Sequence, residues 1–319
     1  MLPSDLTDAV YADADKAREY IESVRWPDGA YCPHCGTTAE GVTKLEGKAH
    51  RKSLYQCNGC LEQFTVTVGT LYERSHIPLH KWLLATHLLC SSKKGISAHQ
   101  LMRRLGLGSY RTAWFMAHRI REGMAPLKGK TAPLGGKGKI VEADTTYIGG
   151  KEKNKHVGKR DAKKIGGKGK QIVHTLVERG GRARSDHIAN VSGKTLRPIV
   201  MTQVSRKSSF MTDTAGGYMA MGKEFARHEM VDHGADEYVR GDAHSNTVEG
   251  YFAILKRGVI GTYHHVSEAH LKRYLAEFDF RYNERAALGV DDATRTVKAI
   301  QGITGKRLTY RRTNEAANA

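Results

Sequence analysis

Acidic residues are in short supply: 33 Asp and Glu stand against 51 Lys and Arg, a formal net charge of +18 over 319 residues. That imbalance excludes an ordinary metabolic enzyme and demands a polyanionic partner, nucleic acid before a membrane surface. Long apolar runs are also missing. The compact one, Trp82 to Cys90, is too short to span a bilayer and contains His87, so no membrane partner is expected. The N-terminus, Met1-Leu2-Pro3-Ser4-Asp5, lacks the basic start and apolar core of a secretory leader, so the expected location is the cytoplasm, at the nucleoid. Cysteine is scarce. Of five, four form two close pairs, and in a reducing compartment such pairs are metal ligands rather than disulfides.

What is present divides into two or three domains' worth of chain. A helical pattern over Leu6 to Val24 ends at Trp26-Pro27-Asp28-Gly29. Then come Cys32-Pro33-His34-Cys35 and Cys57-Asn58-Gly59-Cys60, separated by short strand-like segments. Each CxxC turns both sulfurs toward one point, and two such knuckles complete the four-thiolate tetrahedron that structural Zn²⁺ prefers. His34 is left outside, because four thiolates fill a closed site. The N-terminal helix and zinc ribbon are assigned to 1–75. Residues 76–127 read as helical: an apolar helix with Cys90 as a small buried hydrophobe, then Ile96–Leu105, the turn Gly106-Leu107-Gly108-Ser109, and a longer helix from Tyr110 to Met124. That is a helix-turn-helix layout, in which Tyr110, Arg111, His118 and Arg119 face DNA while Trp114, Phe115 and Ile120 turn inward.

A Gly- and Lys-rich stretch, 128–139, is assigned as a linker to a domain spanning 140–290. Its first strand, Ile140 to Ile148, puts Glu142, Asp144 and Thr146 on one face. The run 151–170 carries nine Lys or Arg against two acids and reads as a loop, including Lys163 and Lys164, that closes on phosphates. Strands at Gln171–Val177 and Ala183–Val191, a helix at Thr195–Val204, a strand ending at Asp213, a helix at Tyr218–Phe225 and a strand at His228–Asp232 follow. Gly241 to Arg257 is the stretch around which the rest is organised: Val248, Tyr251, Phe252 and Leu255 form an apolar helical stripe, with Asn246, Glu249 and Lys256 along another. Ser245 or Asn246 caps it. A last amphipathic helix, Leu271–Arg285, precedes a basic C-terminal tail at 291–319. The pattern predicts an α/β fold, a mixed sheet flanked by helices. Asp144, Asp213 and Glu249 can together hold two Mg²⁺ or Mn²⁺ ions, the arrangement phosphoryl transfer needs.

Three runs carry a resemblance: Asp144-Thr-Thr-Tyr-Ile-Gly-Gly; Thr212-Asp213 followed by Tyr218; and Gly241-Asp-Ala-His-Ser-Asn-Thr-Val-Glu-Gly, extended by Leu255-Lys-Arg-Gly, Gly261-Thr-Tyr-His-His-Val and Glu277-Phe-Asp-Phe-Arg-Tyr-Asn-Glu-Arg285. With the Cys32 ribbon they resemble the bacterial insertion-sequence transposases of the ISXO2-like type, with a zinc ribbon and a DDE-type domain, over almost the whole chain. The resemblance implies an RNase H-like fold that binds the element's terminal repeats, cleaves DNA and joins the freed 3′-hydroxyl to target DNA, as a homodimer or higher on DNA. It carries the first two acids onto Asp144 and Asp213. The third position in such proteins is Glu or Asn, and both Glu249 and Asn246 stand there; Glu249 is favoured because a carboxylate binds Mg²⁺ better than an amide. His244 is a neighbour that can touch metal or substrate. Lys256 falls where the resemblance implies a DNA-phosphate contact, with Arg257 beside it. Thr145 departs from the Glu usual after the first acid. Two other readings remain open: a non-catalytic zinc-ribbon and helix-turn-helix regulator, and an RNase H-like nuclease.

Overall fold

The computed structural model describes residues 5–126, 131–150, 156–160, 169–213, 216–232, 235, 237 and 239–310. The chain divides into two compact units, 1–92 with 96–126 and 290–319, and 93–95 with 127–289.

In the first unit, α1 (Ala14–Arg25) begins later than the apolar spacing predicted. Asp13 accepts from the amides of Asp15 and Lys16 and so starts the helix afresh, leaving Ala9–Tyr11 as a separate 3₁₀ turn. Three short antiparallel strands follow, β1 (Val42–Leu45), β2 (Leu54–Cys57) and β3 (Gln63–Phe64). Trp26, Tyr55 and Phe64 pack as an aromatic cluster behind them. Then come α2 (Leu79–Ser91), α3 (Ala98–Leu105) and α4 (Tyr110–Met124). Gly106 closes α3 in the left-handed conformation, and the Ser109 hydroxyl accepts from the Thr112 amide to open α4. The turn between the helices is therefore fixed at both ends by its own residues.

The segment assigned as a basic tail contains a helix, α9 (Asp292–Gln301), with Ala299, Ile300 and Ile303 buried. It packs on α1, α2 and α4. Arg295 donates to the carbonyl of Cys90, and His87 meets the Thr296 hydroxyl at 3.2 Å. Where α9 crosses α4, a Cβ on Gly302 would stand 2.2 Å from the Gly123 carbonyl oxygen, so the helices approach to backbone distance. The ribbon, the helical hairpin and this terminal helix thus share one unit rather than forming separate domains.

The second unit is a five-stranded sheet, order β6-β5-β4-β7-β8, from β4 (Ile140–Ile148), β5 (Gln171–Glu178), β6 (Ala183–Ile188), β7 (Ser209–Asp213) and β8 (Arg227–Val231). β4, β5 and β6 run antiparallel, while β7 and β8 lie parallel to β4. With helices on both faces, this is the expected α/β, RNase H-like architecture. One face packs Val141, Ala143, Leu176 and Phe210 against α5 (Gly193–Gln203) and Tyr218. The other packs Ile148, Val173 and Val177 against α7 (Asn246–Gly258) and α8 (Glu268–Asn283).

Two boundaries differ from expectation. The described part of the 128–139 linker belongs to the sheet's own core: Leu134 is fully buried, exchanges backbone hydrogen bonds with Gln203 and Ser205, and pairs with Val204. Its glycines suggested a tether, but they fit the chain against Ser208, whose oxygen would lie 2.0 Å from a Cβ on Gly135. The helix expected over 218–225 is a single turn, α6 (Gly216–Met219), followed by a 3₁₀ turn at Gly222–Glu224. Gly216, Gly217 and Gly222 weaken helix propagation there, and Gly222 lies against the His228 ring.

Candidate active site and the four-thiol cluster

Asp144 and Asp213 meet because of register. Ala143 pairs with Thr212 across the parallel β4–β7 ladder, so the next residues, the two aspartates, sit side by side at the end of β7 on the face that α7 covers. The Thr145 amide donates to the Asp144 carboxylate at 2.6 Å. Burial, with the charges of Asp213 and Glu249 adding to it and the Thr145 amide and Lys256 opposing, pushes that carboxyl up to about 7. Three acids and one lysine therefore share one electrostatic environment. They stand more openly than thiolates do: among the described residues only the four cysteines form a set of three or more such side chains with all donor atoms mutually within 4.8 Å.

Neither Ser245 nor Asn246 caps α7. The cap comes from Glu142, 105 residues away on β4 and fully buried. Its carboxylate accepts from the Thr247 and Val248 amides at 2.8 and 2.9 Å, from the Thr247 hydroxyl at 2.8 Å and from Arg179. Burying a carboxylate costs several kcal/mol, and three hydrogen bonds at a helix N-terminus with a fourth from Arg179 are what offset it. Arg179 also donates to the His244 carbonyl, and the His244 ring lies 3.4 Å from Glu142. The clamp sits two residues from Asp144 on the same strand face and, at Thr247 and Val248, immediately before Glu249. It fixes the helix against the strand. Ser245, freed from capping, donates its hydroxyl to Glu249 at 3.0 Å. Sequence reasoning missed this role for Glu142, although its place on the Asp144 face was legible.

The longest motif acts from behind. Asp279 of α8 accepts from the Tyr251 hydroxyl and from the Ser185 amide and hydroxyl, and its burial raises it to about 6. The Asn283 side chain pairs with both the amide and the carbonyl of Ala183 on edge strand β6, while Arg285 donates to the Gly181 carbonyl. Glu277 pairs with Arg281 and accepts from the Tyr263 hydroxyl. These residues cover a sheet edge and hold α7 from outside.

Of the remaining candidates, Asn246 and Lys256 are exposed, Lys256 with its ammonium 6.0 Å over the Phe252 ring. Arg257 is exposed and donates back to the Ala253 carbonyl. Arg111 is exposed, with its guanidinium 5.8 Å from the Tyr310 ring. Arg119 is a correction: it donates to the Glu73 carbonyl and stacks on Trp82 and Phe115, so it packs the first unit instead of facing outward. His118 is likewise buried, against Trp114. Both fall on the inner side of α4 with Ala113, Met116, Ala117 and Ile120, a wider buried face than a three-residue stripe suggested. Lys163 and Lys164 lie outside the described residues.

In the ribbon, Cys32 and Cys60 sulfurs lie 3.6 Å apart and Cys35 and Cys57 sulfurs 3.5 Å apart. A tetrahedron with Zn–S near 2.3 Å requires S···S of about 3.8 Å. The donor set fits structural zinc. The Thr37 hydroxyl helps pull the Cys57 thiol down to about 6, whereas Cys60, despite the Glu62 backbone, is driven up to about 12 by burial and the neighbouring sulfurs. Four sulfurs this close ionise together only around a cation. His34 is exposed and outside the set, as expected.

Comparison with known proteins agrees with both halves. Residues 133–283 match the ISXO2-like transposase domain and 12–63 the transposase zinc-ribbon domain. The chain belongs to the ISXO2-like transposases. An "Uncharacterized protein in transposable element ISH50" of Halobacterium salinarum is 28% identical over 276 residues, covering 83% of this chain and 90% of that protein. That relative is archaeal, so the resemblance is not confined to bacterial transposases. Among solved structures, a chain of the simian T-cell lymphotropic virus intasome in complex with PP2A regulatory subunit B56 gamma is 16% identical over 60% of this chain and 66% of that chain. Its TM-score of 0.28 is too low to carry an assignment. The family implies a divalent metal for catalysis, and the oxygen-only donor set at Asp144, Asp213 and Glu249 fits a hard cation such as Mg²⁺. No helix among the described residues is long and apolar enough to cross a membrane.

Proposed function

We propose that this transposase binds the terminal repeats of its element, cleaves DNA there and joins the freed 3′-hydroxyl to target DNA, working as a dimer or higher assembly so that two ends are handled together. The observation that carries the reading is the pairing of Asp144 and Asp213 on adjacent parallel strands, with Asp144 electrostatically coupled to Glu249 from α7. Asp144, Asp213 and Glu249 are the residues to hold the divalent ions, with Asn246 and His244 as neighbours. Bound there, such ions activate the attacking oxygen and stabilise the leaving one. Lys256 offsets part of the carboxylates' field and stands ready for a phosphate, with Arg257 beside it and Arg111 on the helix-turn-helix. Glu142 and Arg179 keep α7 in register with β4 while charge in the site changes. A purely DNA-binding regulator has no use for that coupled acidic set.

The test is a strand-transfer assay with the element's own terminal repeats, wild type against Asp144→Asn, Asp213→Asn, Glu249→Gln and Asn246→Ala. The expected result is loss of cleavage and joining in the first three with end binding retained. Undiminished cleavage in either aspartate variant overturns the reading, and loss in Asn246→Ala with activity in Glu249→Gln moves the third ligand to the amide.

A further inference from the structure

Between the end of β4 and Lys256 lies a cavity of about 570 Å³, within the range of sites that hold small molecules, roughly 300–1,000 Å³. β4 continues to Ile148 after β7 has ended at Asp213, so among the described residues its last ones pair with β5 alone. Tyr147 and Ile148 line the cavity from that end, and Ile260, His264 and His265 line it from the turn after α7. Two large apolar side chains stand in water here, Tyr147 at 43% and Ile260 at 70% exposure.

The wall formed by the turn is fixed and strained. Val259–Tyr263 continues α7 as a π-helical turn, a feature frequent at functional sites. His264 has φ 59° and ψ −44°, with the His265 amide donating to the Tyr263 carbonyl, a γ-turn of the rare, strained hand. Tyr263 anchors it through Glu277 and through ring contacts with Tyr274 and Phe278. Strain of this kind persists only where the surroundings over-determine it. Among the described residues the cavity's charge is of one sign: Lys170 and Lys256 line it and no acid does. Lys256 also acts on Asp144, so the cavity and the carboxylates share a residue.

We propose that this cavity takes one nucleobase of the bound DNA, from a nucleotide bordering the cleaved phosphodiester, swung out of the helix to lie against Tyr147 and Ile260 with its phosphate on Lys256 and Lys170. An aromatic face beside paired cations is what a single unstacked nucleotide needs, and stacking of this kind is sequence-tolerant. The inference rests on the proposed DNA-cleavage function and adds a substrate subsite to it.

The test separates the two. Affinity of the full chain for an end-containing duplex is measured with no added magnesium, for wild type, Tyr147→Phe, Tyr147→Ala and Ile260→Glu, on intact DNA and on DNA made abasic at each nucleotide bordering the cleaved bond. Tyr147→Ala and Ile260→Glu are expected to weaken binding to intact DNA roughly fivefold or more, Tyr147→Phe to bind as wild type, and the difference to vanish on DNA abasic at one position. An equal loss on every duplex, abasic ones included, or no loss on any, overturns the subsite. Cleavage on the same duplexes with magnesium added reads the proposed function separately: a wild type that never cleaves yet shows the position-specific loss keeps the subsite and sinks the function.

Discussion

The four-thiol cluster and the three-acid site are built on opposite plans. Around Cys32, Cys35, Cys57 and Cys60 there is little else: strands of four, four and two residues and one aromatic cluster, with sulfurs drawn together around the ion's place. Around Asp144, Asp213 and Glu249 the scaffold comes first. A buried carboxylate clamps the helix to the strand, a second helix braces it from outside, and the acids stand coupled but apart. On the proposed reading, the ribbon needs its metal in order to fold, whereas the sheet domain needs metal in order to act.

Metal removal breaks the comparison most directly. Stripping zinc with a thiol-competitive chelator, or Cys57→Ser, is expected to unfold the ribbon, since structural zinc contributes on the order of 10 kcal/mol. The α/β unit should keep its hydrogen-exchange protection, and loss of protection in both units would remove the contrast. Next in size, Asp144→Asn or Asp213→Asn should lower magnesium-dependent cleavage by roughly a thousandfold with folding unchanged by circular dichroism. Glu142→Ala should do the reverse of an active-site change: on the order of 3 kcal/mol lost in urea unfolding, because the Thr247 and Val248 amides lose their buried acceptor and the half-buried Arg179 its partner. A pH series sharpens the same point. Asp144 has its folded pKa raised from 3.8 to about 7, so its ionisation opposes folding: nothing is lost below about pH 4, the loss grows between 4 and 7, and it is complete above 7. Without divalent metal, Asp144→Asn should therefore be more stable to unfolding than wild type at pH 8, by up to about a few kcal/mol, with the gap closing toward pH 4. The smallest effect concerns two arginines of α4. Arg111→Ala should reduce the salt slope of DNA binding by about one, while Arg119→Lys should leave the slope unchanged and lower the melting temperature.

Signals carried by local spacing were readable. Two CxxC knuckles, the period-two face of β4 and the apolar stripe of α7 each follow from geometry within a few residues. The pairing of Asp144 with Asp213 was legible only as strand ends, because register is decided by the β4–β7 ladder and not by either segment alone. Glu142 as a cap lies beyond local rules, which look for Ser, Thr, Asp or Asn beside the helix. Arg119 misled because a cation on an amphipathic helix looks solvent-facing until the Glu73 carbonyl and two aromatic rings claim it. The glycines of 135 and 136 looked like freedom and proved to be close approach to Ser208.

The position of α9 orders events during synthesis. Its apolar face fills the core of a unit whose other helices are made some two hundred residues earlier, and all of the sheet domain is translated in between. On the ribosome the sheet domain can fold as soon as it emerges, while α1, α2 and α4 wait with an unfilled groove. A nascent chain halted before residue 292 would carry the acids but lack the helix that completes the core of the first unit.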